Sequence, residues 1–381
     1  MPQHVDYIIA GGGLSGLSLA YFLNQSPLRT KKILIIDKEK KIKNDRTWCF
    51  WEKEEGPFES IVYRKWDKIW FHGHEFSEWL TLSPYQYKMI RGIDFYQYIH
   101  EHLGQNSNIE LLYTTILSVS DNGVETEAGT YTADWIFDST YALKLNLSQH
   151  HNLLQHFKGW LIQTPSPCFE PNQATMMDFR VDQGSDCRFM YILPNSETEA
   201  LVEYTLFSPS LLSPSDYDAA LRNYLDNQFN ISDFRIIAEE FGIIPMTDEP
   251  TQHQPSERVV RIGTAGGSTK PSTGYTFART QQNLQEIVEN LVDFGEPFRW
   301  NEPLKKRFFW YDSIFLHVFE QQLHSPKDIF TRLFRHNKAA KVFRFLDEET
   351  PFPLEFGLMA TLPIWPFTKA AFRVISRWLF G

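Results

Sequence analysis

The chain has 381 residues, of which 42% are hydrophobic, enough to bury a full core in one large or two interlocked domains and too many for a disordered chain. Its formal net charge of -10 argues against a nucleic-acid-binding protein, because neutralising phosphates requires clustered Lys and Arg. Its three cysteines form no CxxC or metal-ligand spacing and no secretory leader is apparent, so we expect a cytoplasmic protein with neither disulfides nor a metal site.

The first predicted elements are a strand, a glycine-rich turn, a helix and a second strand that ends in an acid. The turn reads Gly11-Gly12-Gly13-Leu14-Ser15-Gly16, and the second strand, Ile33 to Ile36, leads into Asp37. An adenine dinucleotide needs this layout: Gly11 permits the tight turn, Gly13 lets the backbone approach the pyrophosphate, and Gly16 lets the helix pack on the strand. Asp37 stands where a ribose hydroxyl requires an acceptor, and the helix N-terminus stabilises the phosphate charge.

We predict that this unit binds the cofactor through Gly11, Gly12, Gly13, Ser15, Gly16, Asp37 and Lys38. The alternative is a glycine-rich turn in an unrelated βαβ unit. The next segment, residues 44–51, is dense in aromatic residues and is predicted to be a loop. Its Arg46 is expected to reach a phosphate or ribose of the cofactor, with a surface salt bridge as the alternative role.

Strand patterns of two kinds occupy the middle of the chain. Residues 109–119 and 130–138 are predicted to be strands of the nucleotide domain. Residues 174–181, 188–193 and 199–206, separated by turn residues, resemble neighbouring strands of an antiparallel sheet. The sequence therefore predicts a second, sheet-based domain.

A second glycine-rich signature follows that sheet. It contains Gly263 and Gly266 and is followed by Pro271, Gly274 and a long helical pattern over 275–294. We expect these four residues to bind the cofactor together with the first turn. The order of the segments predicts a split cofactor domain, residues 1–150 and 255–300, and a substrate-binding sheet domain at residues 151–254.

The last third of the chain is predicted to be a helical cap, residues 301–381, because apolar residues recur there at helical spacing. Its final stretch, 366–381, places Lys369, Arg373 and Arg377 at four-residue steps beside apolar residues. This pattern is typical of a helix that lies in an anionic membrane surface, and the alternative is a helix docked on the core with its charges in water. Since no segment is apolar enough to span a bilayer, we expect a peripheral protein on the inner face of the cytoplasmic membrane.

Aromatic residues are unusually frequent, with 31 Phe, 16 Tyr and 11 Trp. A pocket lined with aromatic faces suits a polyene, a prenyl chain or a cationic intermediate. An aromatic-rich core explains the same composition equally well.

Three of these segments together resemble the bacterial type of the lycopene beta-cyclase family, in order and over nearly the whole chain. They are the turn Gly11 to Gly16, the segment Asn44 to Trp51 and the run Gly263 to Phe277. The first fits any flavoprotein of the hydroxylase and reductase superfamily, whereas the other two are far more restricted. The resemblance implies an α/β fold with a Rossmann-type, glutathione-reductase-like FAD-binding domain.

The resemblance also implies the activity, an isomerase that converts lycopene through gamma-carotene to beta-carotene by a net non-redox cyclisation. Lycopene and other linear carotenoids are the implied partners. The FAD must be reduced, with NAD(P)H as the usual electron source. One departure from the family lies at Asp138 to Thr140, where related flavoproteins often carry a glycine.

Ring closure begins when a terminal alkene is protonated, so it needs a carboxylic acid held neutral in an apolar pocket. The motif that carries this acid in the family has two matches here: Phe345 to Thr350 matches by its letters, and Leu201 to Leu206 matches by its place in the sheet domain. We predict Glu203 as the catalytic acid, because its apolar strand neighbours make its ionisation costly. A solvent-facing strand position is the alternative for Glu203, and a solvated helix end is expected for Glu348 and Glu349.

Further candidates and two further functions stay open. Asp178 is a second acid on a neighbouring strand that could assist Glu203. Candidates to line a polyene tunnel, each with core packing as the alternative, are Trp48, Phe50, Trp51, Trp310 and Tyr311. The alternative functions are a flavin monooxygenase or prenyl-chain reductase of the same superfamily, and a carotenoid- or lipid-binding flavoprotein without turnover.

Overall fold

The computed structural model describes residues 3–143, 149–298 and 306–380, and within the last range it describes the side chains of residues 307–377. The strands are β1 (Gln3–Ala10), β2 (Ile33–Asp37), β3 (Thr47–Glu52), β4 (Arg64–Trp66), β5 (Lys68–Gly73), β6 (Phe76–Thr81), β7 (Gln86–Arg91), β8 (Ile109–Tyr113), β9 (Ile116–Ser120), β10 (Gly123–Thr126), β11 (Gly129–Asp138), β12 (Asn152–Gln163), β13 (Ala174–Asp178), β14 (Cys187–Pro194), β15 (Glu199–Ser208), β16 (Arg235–Thr247) and β17 (Val259–Arg261). The helices are α1 (Leu14–Gln25), α2 (Gly92–Leu103), α3 (Pro214–Phe229), α4 (Phe277–Phe294), α5 (Lys306–Glu320), α6 (Pro326–His336), α7 (Ala339–Leu346), α8 (Phe352–Met359) and α9 (Ile364–Phe380).

The first sheet is mixed and carries the glycine-rich turn. Its strand order is β8-β2-β1-β11-β10-β9, with β17 pairing β11, and β1 runs parallel to both β2 and β11. Ile8 and Ile9 of β1 are fully buried on opposite faces, as expected for a central parallel strand. Ile9 belongs to the core that α1, α2 and α4 cover, and Ile8 to the core on the other face with Val124 of β10.

The structure differs from two of the predicted elements in this part of the chain. Residues 109–119 form two strands, β8 and β9, rather than one. The expectation of a loop over 44–51 is wrong for 47–51, which form β3 and pair antiparallel with β7. Alternation along β3 explains the aromatic run: Phe50 stacks on Phe277 with ring centroids 4.4 Å apart, and Trp51 stacks on Phe343 at 4.4 Å on the other face.

The second sheet is largely antiparallel and has the order β16-β12-β15-β14-β13-β5-β6. Its last two strands come from within residues 1–150, and β5 pairs parallel with β13. The predicted division of the chain at residue 150 therefore assigns β5 and β6 to the cofactor domain, although they extend the sheet of the other domain. That division stays a prediction.

Helix α3 covers one face of the second sheet, where Val202, Tyr204 and Leu206 pack against it. The alternate residues of β15, Leu201 and Phe207 among them, belong to a larger core on the opposite face with α5, α6 and α7. Glu203 shares this second face because strand side chains alternate. The residue is half-buried on this face.

The helical cap consists of α5 to α9. Helix α6 begins at Pro326, which suits a first helical turn, and Phe334 of this helix packs on Phe71 of β5 with ring centroids 4.8 Å apart. Helix α9 packs through Ala370 and Val374, which are buried. Among the residues described, no helix is long and apolar enough to cross a bilayer.

Candidate functional site

The turn between β1 and α1 has the close contacts that demand glycine. Gly11 has φ of +99°, and a Cβ on it would lie 2.2 Å from Ser139 Oγ. A Cβ on Gly16 would lie 1.9 Å from the Gly11 carbonyl oxygen, so any side chain there would push α1 off the turn. A Cβ on Gly13, in contrast, would meet no atom of the described ranges within 4 Å. The N-terminus of α1 therefore has open space in front of it, a cradle for an anionic group.

Asp37 supports this turn through its carboxylate. Its Oδ2 accepts a hydrogen bond from the Gly12 backbone N–H at 2.6 Å, and its Oδ1 accepts one from the Glu39 N–H at 2.8 Å. The neighbouring Lys38 is exposed. Asp37 thus fixes the glycine turn at the end of β2. Its role at a ribose stays a prediction.

The second glycine-rich segment folds back against the first. Gly263 has φ of +68°, and a Cβ on it would lie 2.4 Å from Ser15 Oγ. Gly274 has φ of +72°, and a Cβ on it would lie 1.9 Å from Gln155 Oε1. These contacts bring α1, the segment before α4 and the second sheet together around one space.

That space is a cavity of about 440 Å³, which we call the polar cavity. The predicted cofactor residues that line it are Gly13, Ser15, Arg46, Gly263 and Gly274. The predicted cofactor residues that do not line it are Gly11, Gly12, Gly16, Asp37, Lys38, Gly266 and Pro271. Gln155 Oε1, at the wall beside Gly274, is buried and has no hydrogen-bond partner among the residues that the structure describes. An orphaned acceptor and an open helix N-terminus are features that a bound polar group would satisfy.

Arg46 lies at the exposed edge of the polar cavity. Its Nη1 donates to the Asp45 carbonyl oxygen at 2.8 Å and to the Phe241 carbonyl oxygen at 3.4 Å. These bonds tie the start of β3 to β16 and leave the guanidinium at the cavity wall.

Two glutamates form the acidic end of the polar cavity. Glu203 on β15 and Glu240 on β16 both stand opposite Gly159 of β12, the strand between them. Their carboxyl groups are close enough to share a hydrogen bond. Thr205 Oγ1 donates to Glu203 Oε1 at 2.9 Å, and Thr47 Oγ1 donates to Glu240 Oε2 at 2.9 Å.

Burial raises the pKa of Glu203 well above its ordinary value, and the neighbouring Glu240 raises it further. Burial also raises the pKa of Glu240, but hydrogen bonds from Glu203 and Thr47 and the charge of Arg46 oppose this rise. Two adjacent buried carboxyls do not both ionise readily, so the pair retains a proton where an isolated glutamate would lose it. Glu203 has the environment that a proton donor needs.

Glu240 was not among the site residues predicted from the sequence. The strand over Arg235–Thr247 was not predicted, although its Glu239-Glu240-Phe241-Gly242 run can only send one of the two acids to each face of a sheet. Glu239 takes the opposite face, where its Oε2 lies 3.1 Å from Lys158 Nζ.

The other candidate acids do not share this setting. Asp178 is fully buried on the α3 side of the sheet, where Tyr224 donates to its Oδ2 at 2.6 Å and Arg180 pairs with it. The expectation that Asp178 assists Glu203 is therefore wrong. Glu349 is exposed and pairs with Lys53, as a solvated helix end would.

The expectation of a solvated helix end is wrong for Glu348. Its side chain is only 16% exposed, and its Oε1 accepts from Lys270 Nζ at 3.0 Å and Arg279 Nη1 at 2.6 Å. Although burial opposes ionisation, these two cations lower the pKa of Glu348. A carboxyl held ionised in this way is a poor proton donor.

A second cavity, which we call the aromatic cavity, has a volume of about 400 Å³ and is lined mainly by apolar and aromatic side chains of the second sheet and the cap. Tyr191, Thr273 and Tyr275 line both cavities, so the two spaces meet at these residues. The Tyr275 hydroxyl lies 3.4 Å from that of Tyr191. Of the predicted tunnel residues, the lining of the aromatic cavity includes Trp51 and Tyr311, Trp48 lines the polar cavity, and Phe50 and Trp310 line neither.

The family model described as "Lycopene cyclase protein" matches residues 6–372. The chain belongs to the lycopene cyclase family. A lycopene beta-cyclase from Pseudescherichia vulneris is 25% identical over 285 residues, which cover 71% of this chain and 70% of that protein. The family that the three sequence segments indicated is thus confirmed.

Solved structures show the fold of this lycopene cyclase family member. A geranylgeranyl bacteriochlorophyll reductase-like protein from Thermoplasma acidophilum aligns over 97% of this chain and 99% of its own, with a TM-score of 0.67 and 12% identity. A flavoprotein/dehydrogenase from Cytophaga hutchinsonii aligns over 94% and 99%, with a TM-score of 0.61 and 12% identity. The predicted fold class, a Rossmann-type α/β domain with an antiparallel sheet domain and a helical cap, is confirmed.

Proposed function

We propose that this member of the lycopene cyclase family is a lycopene beta-cyclase, which converts lycopene through gamma-carotene to beta-carotene without net redox change. The observation that carries the proposal is the position of Glu203, a carboxyl with a raised pKa near the junction of a polar and an aromatic cavity. An acid so placed meets the chemical requirement for protonating an alkene in an apolar pocket.

We propose FAD in its reduced form as the cofactor of the polar cavity, with NAD(P)H as the electron source. The open N-terminus of α1 at Gly13 would hold the pyrophosphate, Asp37 the ribose, and Gly263 and Gly274 would let the backbone approach the cofactor, with Arg46 at the exposed edge. Reduced flavin, when bound there, would supply negative charge, which would either stabilise the cation or serve as a base for the departing proton. Among similar solved structures, one from Pseudomonas aeruginosa is a probable FAD-dependent monooxygenase with a TM-score of 0.52 and 12% identity.

The chain's own residues account for the start of the reaction. Neutral Glu203 gives its proton to the terminal alkene, a C–H bond forms, and the π electrons of the neighbouring alkene close the ring. A ring carbon then loses one proton to a base, and the Glu203 carboxylate takes up one proton before the next ring closure, so the protons consumed and released balance. Tyr191 and Tyr275, at the junction of the cavities, offer aromatic faces to the cation and keep water away from it.

We propose that the C-terminal segment, residues 366–381, contacts the membrane. Lys369 and Arg373 are exposed, as the basic stripe requires, whereas Arg377 faces the protein and its Nη2 pairs with Asp248 Oδ2 at 2.6 Å. The helix therefore combines both alternatives, because one face is docked and the other is free. The side chains of 378–380 and residue 381 lie outside the described part.

The free face of α9 continues onto α8 as an exposed apolar surface. Its members and their exposed fractions are Phe356 at 68%, Ile364 at 68%, Trp365 at 79%, Phe372 at 76% and Ile375 at 46%. Phe356 and Ile364 also line the aromatic cavity, which places one end of that cavity at this surface. A polyene dissolved in lipid could thus enter directly, which supports a peripheral protein on the inner face of the cytoplasmic membrane.

Membrane contact is tested with vesicles that contain phosphatidylglycerol. The double variant Trp365→Ser and Phe372→Ser should reduce co-sedimentation about tenfold or more, because each buried large apolar side chain contributes roughly 2 kcal/mol. Leu117→Ser is the matched control, since Leu117 is 58% exposed on β9 of the first sheet. Unchanged sedimentation of the double variant would contradict the proposal.

The activity is tested by expressing the chain in a bacterial host that accumulates lycopene and separating the pigments by chromatography. Conversion to beta-carotene is the expected result. Unchanged lycopene beside soluble, FAD-loaded protein would refute it. Consumption of one NAD(P)H per product formed would instead favour the monooxygenase or reductase alternative. Recovery of the bound pigment unchanged after incubation with reduced FAD would favour the binding-protein alternative.

A further inference from the structure

We infer that Glu240 is a positioning residue that keeps the proton on Glu203, so that the two carboxyl groups act as one acid sharing a single proton. The inference rests on the proposed function, in which Glu203 protonates the polyene. It assigns a task to a residue on β16 that no sequence pattern had singled out.

The sheet register places the two side chains together across an intervening strand. Gly159 of β12 pairs with Glu203 on one side and with Glu240 on the other, so all three positions share one face. A Cβ on Gly159 would lie 3.0 Å from Glu240 Cγ and 3.1 Å from Leu201 Cδ1. The missing side chain at Gly159 therefore provides the room in which the two glutamates meet.

The two carboxyls have unequal surroundings, which decides where the shared proton resides. Glu240 lies near the Arg46 guanidinium and accepts the Thr47 hydroxyl, both of which favour its ionised form. Within the described ranges, Glu203 accepts the Thr205 hydroxyl besides its contact with Glu240, and no cation there lowers its pKa. The negative charge thus lies on Glu240 and the proton on Glu203.

The titratable groups on the Glu203 side of the pair are neutral at neutral pH, and the charged groups lie on the Glu240 side. On the Glu203 side they are Tyr191, Tyr275 and Cys49, and on the Glu240 side they are Arg46 and Asp45. Burial raises the pKa of Tyr275 to about 12 and the pKa of the Cys49 thiol still further, so both stay neutral. Asp45 opposes Arg46 in its effect on Glu240 but does not reach Glu203.

The consequence is a specific pH dependence. The active form of Glu203 is protonated, so the rate falls as pH rises through the pKa of the pair. Replacing Glu240 by an uncharged side chain removes the like charge that opposes ionisation of Glu203. The alkaline limb of the rate profile must then move to lower pH.

The test uses purified, FAD-loaded protein with reduced flavin and lycopene in liposomes, assayed from about pH 5.5 to 9. For Glu240→Gln we expect the ratio of the rate at about pH 8 to the rate at about pH 6 to fall about tenfold. This fall corresponds to a displacement of the alkaline limb by about one pH unit. Glu240→Asp restores a carboxylate and should recover part of the ratio. Glu239→Gln is the matched control, because Glu239 is 52% exposed and faces Lys158 on the other side of the same strand.

A second readout does not depend on turnover. The infrared absorption of a protonated carboxyl at about pH 8 should be present in the parent protein and lost in both Glu203→Gln and Glu240→Gln. A Glu240→Gln profile that matches the parent, with FAD still bound, overturns the inference and leaves the proposed function standing. A Gln variant that is inactive at every pH and not recovered by Asp also overturns it, because a positioning role leaves Glu203 able to act in acid. Failure of the parent protein to convert lycopene is the separate failure of the proposed function.

Discussion

Two candidate positions for the catalytic acid, the Glu203–Glu240 pair and Glu348, have different surroundings. Glu203 and Glu240 face each other in a half-buried space where Arg46 is near only the second. Glu348, in the segment Phe345 to Thr350 that resembles the family's acid motif by its letters, lies between Lys270 and Arg279. Like charge and burial raise the pKa of Glu203, while two cations lower that of Glu348 despite its burial. The neighbours of a carboxyl, and not the letters around it, decide whether it can donate a proton.

The largest effect should follow from Glu203→Gln. Gln keeps the shape and the contact with the Thr205 hydroxyl but has no proton to give, so cyclisation should fall by roughly 10³-fold or more while FAD stays bound. Pigment analysis of reactions with reduced flavin measures the loss, and the flavin absorption spectrum of the purified variant is the control. Retained activity would remove Glu203 from the mechanism.

Glu348→Gln should show the opposite pattern, a loss of stability with little loss of chemistry. It leaves Lys270 and Arg279 without their shared carboxylate, although Lys270 keeps Asp312 at 3.0 Å. We expect about 2 kcal/mol lower stability in urea unfolding and a rate per folded protein within a few-fold of the parent. A stable but inactive variant would contradict the assignment of the proton donor to Glu203 rather than Glu348.

Gly159→Ala probes the same acid pair without removing a carboxyl. The added Cβ would crowd Glu240 and Leu201, so the two glutamates should separate slightly. We expect the alkaline limb to move to lower pH in the same direction as for Glu240→Gln but by less, about threefold in the ratio of rates. Gly357→Ala is the control, because a Cβ there meets only Lys341 Nζ at 3.7 Å. A displacement to higher pH would contradict this account.

The smallest effect concerns Asp347, beside Glu348. Burial raises its pKa to about 6, although Trp51 Nε1 donates to its Oδ1 at 2.8 Å. Because the folded state holds this proton more tightly than the unfolded chain, its contribution to stability falls as pH rises from about 4 to about 6. Asp347→Asn should remove that dependence and raise stability at neutral pH by about 1 kcal/mol. Urea unfolding at about pH 4 and pH 7 measures the difference, and a less stable variant at pH 7 would contradict it.

Short-range features were predictable because they depend on neighbours in the sequence. The close contact of Gly16 with the Gly11 carbonyl oxygen lies within a single turn, and a turn of this kind has a glycine spacing that the sequence displays. The same holds for the helical cap, where periodic apolar residues and Pro326 mark the helices. The aromatic run at 47–51 was mistaken for a loop because its strand pairing is with β7, far along the chain.

By itself the sequence determined the cofactor-type βαβ unit, the alternation of the central strands and the family, since these depend on local spacing and on segments that match as written. Only the tertiary structure decided which acids meet. The pairing of Glu203 with Glu240 needs the register of three strands around Gly159, and the ionised state of Glu348 needs cations from two other elements. Alternation along a strand fixes the face on which a side chain lies, but the neighbours on that face come from strand order and packing, which residues distant in sequence establish together.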